Sequence, residues 1–139
     1  MYNPATWSPD GKLGGVTLKT AAAVTADTTE TAVFVGKGKF RVVLTWTTCE
    51  VATGNEFYNV LLEANTRGAT STYKRIAPLG CFGHSSVTGD GSSTSATGEI
   101  EVLVDNPYDY QARIVTYVNG TIDTTGLTFG AVAYPLLDK

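Results

Sequence analysis

Histidine occurs once in this chain, methionine once and cysteine twice, and charged residues make up only 17% of its 139 positions. Each scarcity removes a class of chemistry. A catalytic triad would have to use His84, whose nearest serines, Ser85 and Ser86, are its sequence neighbours, a spacing at which the side chains do not readily meet. Two cysteines are too few for a disulfide framework, so Cys49 and Cys81 are expected as reduced thiols, and Cys81-x-x-His84 is half of a zinc spacing without the other half. Ten Lys and Arg against 13 Asp and Glu give a formal charge of -3, with no basic field to hold phosphates; neither nucleic acid nor a membrane surface is an expected partner. No apolar run approaches the roughly 18 residues of a membrane helix, and the opening MYNPATWSPDGK lacks both the basic and the apolar segment of a signal peptide. G-x-S-x-G, H-E-x-x-H and Walker motifs are missing as well. The expectation is a protein without catalysis, metal or cofactor, made in a cytoplasm.

What remains is apolar (42%) and rich in Thr, Ser, Gly and Val, a composition that favours strands. A chain of this length buries roughly 68% of its unfolded surface, enough for one self-sufficient domain. Residues 1–15, broken by Pro4, Pro9 and two glycine turns, read as an N-terminal arm in which Tyr2 and Trp7 are the candidate anchors; residues 16–139 read as the domain.

Strand patterning begins at Val16 to Val24, resumes at Thr31 to Val35 and is cleanest where Phe40, Val42, Leu44 and Trp46 alternate with Arg41, Val43, Thr45 and Thr47. Trp46 continues that series and is assigned to the core. Glu56 to Ala64 is apolar on both faces, so it is either covered twice or presents Phe57 and Leu61 to another subunit. Tyr73 to Leu79 is a weaker strand whose Pro78 points to an edge or a bulge.

Gly98 to Val118 holds two further strands around Asp105, Asn106, Pro107 and Asp109, whose Asx side chains suit a tight corner. As a hairpin the pair would set Glu101 against Arg113; in a jelly roll it would span two sheets and that contact would vanish. Asn119-Gly120 predicts a type I′ turn with a short return over Thr121 to Thr125, and Leu127 to Tyr134 is the last strand. About eight strands without a helix predict an all-β, two-sheet sandwich, with a jelly roll first and an immunoglobulin-like sandwich second.

Gly80 to Gly98 is nearly all small and polar, too long for a turn, with Asp90-Gly91 at its centre. Glu99 and Glu101 share a strand face, the placement of a glycosidase carboxylate pair, but on an open strand such a pair more simply serves solubility. Trp7, Phe57, Tyr73 and Tyr117 are outward aromatics that would suit a sugar platform if they were coplanar. Asp90, Asp105 and Asp109 lack the ordered spacing of a calcium loop.

Four stretches carry a resemblance: VGKGKFRVVLTWTTCEVATGNEFYNVLLEAN, the Gly83-His84-Ser85-Ser86-Val87-Thr88 run, VDNPYDYQARIVTYVNGT and AVAYP. Together they resemble the small jelly-roll cement, or head decoration, proteins of tailed bacteriophages. The resemblance implies a virion structural protein that binds the outer surface of an assembled head, with the major capsid protein and copies of itself, as a homodimer or homotrimer, as partners. On that reading Tyr2, Trp7, His84 and Asp90 are candidate shell contacts, and Phe57, Leu61, Leu103 and Val115 candidate subunit contacts. A carbohydrate-binding module and a tail or fibre protein are the alternatives.

Overall fold

The structure, a computed structural model, describes residues 15–51, 55–83, 98–122 and 125–136. Nine strands and no helix form among the described residues: β1 (Val16–Val24), β2 (Thr28–Thr29), β3 (Val33–Phe34), β4 (Gly38–Cys49), β5 (Phe57–Thr66), β6 (Ala69–Gly83), β7 (Gly98–Asn106), β8 (Gln111–Asn119) and β9 (Leu127–Pro135). All pairings are antiparallel and make two sheets, ordered β1-β9-β4-β7 and β2-β8-β5-β6, with β3 also on β8. Since β2 and β3 lie along the same edge of β8, they are two pieces of one interrupted strand, which recovers the eight expected.

Strand order distinguishes the two sandwiches. Counting β2 and β3 as one, only β5 and β6 are consecutive within a sheet; every other connection carries the chain to the opposite sheet. That winding is a jelly roll, whereas an immunoglobulin-like sandwich keeps several consecutive strands side by side. Strands β7 and β8 accordingly lie in different sheets, and the Glu101–Arg113 contact of a hairpin does not exist. Glu101 instead pairs with Arg41 on β4, and Arg113 with Glu63 on β5, Nε to Oε1 at 3.0 Å.

The alternation read in the sequence becomes the core. Phe40, Val42, Leu44 and Trp46 from one sheet meet Tyr58, Val60, Leu62 and Ile114 from the other, all at or below 7% exposure. The Trp46 and Phe82 rings pack across the sandwich with centroids 5.0 Å apart. Gly98, the register partner of Trp46, leaves room for the indole, into which any Cβ there would run. Full burial of each such aliphatic side chain contributes about 1.5–3 kcal/mol, so the apolar centre is the dominant favourable term.

Two expectations need correction. The weak strand placed at Tyr73 to Leu79 is the longest of all, Ala69–Gly83, and lies at a sheet edge with three register irregularities against β5. Pro78 flanks one of them, at the edge and the bulge its presence predicts, and the bulges erase the alternation by which a strand is recognised. The Asn119-Gly120 hairpin is absent. Only Gly120 has positive φ, at 90°, and Thr121, Ile122 and Thr125 are not in a strand, because the chain crosses there to the other sheet. Cys49 is buried on β4 and Cys81 exposed on β6, with no bond between them.

The crossings bring buried charge into the rim. Glu50, 1% exposed, accepts backbone N–H bonds from Thr125 (2.7 Å) and Gly126 (2.9 Å) on the β8–β9 connection, and its carbonyl takes the Tyr58 hydroxyl at 2.8 Å. Burial, then the nearby Cys49, Glu50 and Glu56, push the Tyr58 phenol well above its ordinary range. Glu50→Ala would strip two N–H groups of a charged acceptor, and should lower the urea-unfolding free energy by about 2–3 kcal/mol with the m-value unchanged.

On the irregular strand β1, Lys19 turns inward and its Nζ donates to the carbonyls of Ala22 (3.0 Å), Phe129 (3.0 Å) and Thr20 (3.3 Å), 4.5 Å from the Phe129 ring centroid. Burial pushes this ammonium below its ordinary pKa, and Glu30 pulls it part of the way back. The unfolded chain therefore keeps the proton to higher pH than the native chain, so stability rises with pH between the lowered native value and about 10.5. Urea midpoints should climb across that interval in the wild-type protein relative to Lys19→Met; parallel curves for the two would contradict the assignment.

Candidate interaction surface

The connections β3–β4, β5–β6 and β7–β8 gather at one end of the sandwich, and three short polar side chains knit them together. Asn65, 1% exposed, donates from Nδ2 to the Thr70 carbonyl (2.8 Å), accepts the Gln111 N–H at Oδ1 (2.8 Å), and through its own carbonyl accepts the Tyr110 N–H (3.2 Å). Asn106, equally buried, donates to the Gly36 carbonyl (2.8 Å) and accepts the Tyr108 N–H (3.0 Å), the local Asx bond its place in the corner predicts. Asp109 accepts the Arg67 N–H at 3.0 Å, and the Tyr110 carbonyl receives the N–H groups of Val35 and Gly36. Buried polar groups are as a rule paired, and the buried Asn65 and Asn106 take partners from other segments, as the exposed Asp109 does from the β5–β6 turn. The loops are therefore held as one platform.

The platform carries Phe34, 48% exposed, with its ring edge-on to Tyr110 at 6.2 Å, and the guanidinium of Arg67 lies over both rings, 5.6 Å from Phe34 and 4.9 Å from Tyr110. Beside it a groove of about 460 Å³ is lined by Val35, Lys37, Lys39, Asp105, Pro135 and Leu136. Tyr and Arg are among the residue types that dominate binding energy at interfaces, Phe is enriched there, and a rigid support keeps such groups in place.

A second surface is the outer face of β8-β5-β6. Phe57 (41% exposed) and Tyr117 (37%) are diagonal neighbours across β5 and β8, and further along Arg113 stacks 3.7 Å over the Tyr73 ring while paired with Glu63. Of the subunit contacts read from the sequence, Phe57 is exposed here. Leu61 and Val115 are register partners on the same face but only 3% and 4% exposed, so they offer a partner little surface. Leu103, 71% exposed, belongs to the other sheet and cannot join them in one patch. The candidate shell contacts Tyr2, Trp7, His84 and Asp90 lie outside the described residues. Glu99 and Glu101 stand on the exposed face of β7, where Glu101 is engaged by Arg41. Among the described residues no cluster of His, Cys, Asp and Glu suits a metal ion.

No family model matches the chain, and no curated protein matches it. Among solved structures it is similar to the K3 cleaved adhesin domain of Lys-gingipain from Porphyromonas gingivalis, at 12% identity over 94% of this chain and 83% of that one, with a TM-score of 0.41. A likeness this loose bears on neither mechanism nor partner.

Sequence patterning did not single out Phe34, Arg67 and Tyr110, which sit in three different connections or strand ends. The available signal was local: Asn65-Thr66-Arg67-Gly68 and Asp105 to Asp109 are both Asx-rich turns, and a turn that needs a buried Asn is one tied to something else. Asn65→Ala should cost about 1–3 kcal/mol and, by amide exchange, should speed exchange at Gln111 more than at Ile114 in the middle of β8; equal protection losses at both would show that Asn65 serves the whole fold and not the platform.

Proposed function

We propose that this chain is a cement protein of a tailed-phage head, binding the outer surface of the assembled shell and reinforcing it without catalysis. The observation that carries the reading is where the resemblance falls. Of its four stretches, residues 35–65 span β4 and β5, residues 104–121 supply the corner and β8, and residues 131–135 belong to β9, which reach the four inner strands of the two sheets; the fourth, residues 83–88, begins at the end of β6 and otherwise lies outside the described residues. The likeness to such proteins thus lies in the framework that defines the jelly roll. The exposed groups suit association: Phe57 and Tyr117 on a sheet face for copies of the same chain, and the knitted end for the shell. Repetition on a shell makes even a weak contact effective once two or three linked copies bind together. The sugar-platform alternative is weaker, because Arg113 covers a face of Tyr73, so that of the three described rings it would use, Phe57, Tyr73 and Tyr117, only Phe57 and Tyr117 are left open.

Purified protein should sediment with assembled heads that lack it, saturating at a fixed number of copies per head, and should raise the temperature at which those heads release DNA. Retention on polysaccharide without sedimentation with heads would replace this reading with the sugar-binding one.

A further inference from the structure

Three arginines in the described residues stack on aromatic rings, and two of them follow one pattern. Arg41 lies over Tyr134 and pairs with Glu101; Arg113 lies over Tyr73 and pairs with Glu63. Arg67 lies over two rings, Phe34 and Tyr110, and among the described residues no carboxylate is within ion-pair distance of its guanidinium. Its nearest acid in the hydrogen-bond network, Asp109, is engaged by the Arg67 main-chain N–H. The arrangement that elsewhere in this molecule is completed by a glutamate is here left incomplete, on an exposed and preorganised platform.

We infer that Arg67, Phe34 and Tyr110 form a receptor for a carboxylate side chain of a partner protein, the Asp or Glu being flanked by an apolar residue that packs on Phe34. The planar fork of an arginine matches a carboxylate through two parallel N–H bonds, and the rings hold it in place, so little side-chain freedom is lost on binding. The charges nearby favour the same occupant. Lys37 and Lys39 line the groove that starts at Val35, next to Phe34 in the chain, and together with Arg67 they outnumber the two acids there, Asp105 in the groove and Asp109 on the Arg67 main-chain N–H; Pro135 and Leu136, the latter 41% exposed, give the groove an apolar wall. Such a site takes an acidic, apolar segment and repels a basic one. The identity of that partner as the shell protein rests on the proposed function; the carboxylate chemistry does not.

Two measurements separate the two claims. In the first, Arg67→Gln and Phe34→Ala are compared with wild-type protein for sedimentation with heads, with thermal melts as a check on folding. Roughly a tenfold or greater loss of apparent affinity in Arg67→Gln, at an unchanged melting temperature, is expected from removal of a charge-assisted pair. Binding equal to wild type would overturn the inference and leave the cement reading intact, while loss of self-association with unchanged head binding would assign the platform to a second copy and overturn the shell contact. In the second, which needs no heads, the arginine Nε–H resonances are followed while the peptide acetyl-Leu-Glu-Leu-amide is added. The Arg67 signal should move, those of Arg41 and Arg113 should not, and the Gln counterpart peptide should move none. Failure of Arg67 to respond, or an equal response of all three, would overturn the receptor whatever the heads show.

Discussion

Face-to-face packing of two sheets is the constraint on which everything else in this molecule depends. Phe40, Val42, Leu44 and Trp46 can be buried only if Tyr58, Val60, Leu62 and Ile114 are brought opposite them, and the chain achieves this by crossing between sheets at nearly every connection. A crossing takes the backbone out of one ladder before it enters the next, so its N–H and C=O groups need other partners. The centre of the sandwich is therefore largely apolar, and Glu50, Asn65 and Asn106 are buried where strands give way to connections, whereas Lys19 and Thr116 are buried within strands. Glu50 binds the β8–β9 connection at one end; Asn65 and Asn106 bind the hairpin tip and the corner at the other.

This division explains why one end makes a credible binding surface. Side chains that satisfy a loop's backbone also fix the loop, and Phe34, Tyr110 and Arg67 inherit that rigidity from Asn65 and Asp109. The outer sheet faces are organised differently, by two cross-strand triads, each of an arginine, a tyrosine and a glutamate, that already satisfy one another. The exposed pair among them, Arg41 with Glu101, contributes little to stability, about 0–1 kcal/mol. The interest of the triads lies in the contrast with Arg67, which has the rings and, among the described residues, no acid on its guanidinium.

Period-two alternation made β4, β7, β8 and β9 legible, since a strand with one buried face writes its geometry into every second residue, while β1 was legible from its strand-favouring residues and β5 as a strand apolar on both faces. It failed on β6, where bulges shift the phase, and at Asn119-Gly120, where a correct glycine signal was attached to the wrong topology: a turn residue reports local φ and is silent about which sheet the next strand joins. Burial of Leu61 and Val115 on an outward face was illegible for a related reason, because cover comes from neighbours distant in sequence. The same holds for Lys19, whose buried bond reaches the Phe129 carbonyl 110 residues away, and for Glu50, whose partner Thr125 lies 75 residues away. The Arg67 cluster joins three segments, and no single window of the chain contains it.

Cryo-electron microscopy of heads assembled with and without this protein tests the central claim most directly. The account predicts added density on the outer surface that fits the β1-β9-β4-β7 and β2-β8-β5-β6 sandwich, oriented with the end carrying Phe34, Arg67 and Tyr110 against the shell and a carboxylate of the shell at Arg67. Identical maps from the two preparations, or a sandwich seated on the opposite end with Arg67 facing solvent, would contradict it.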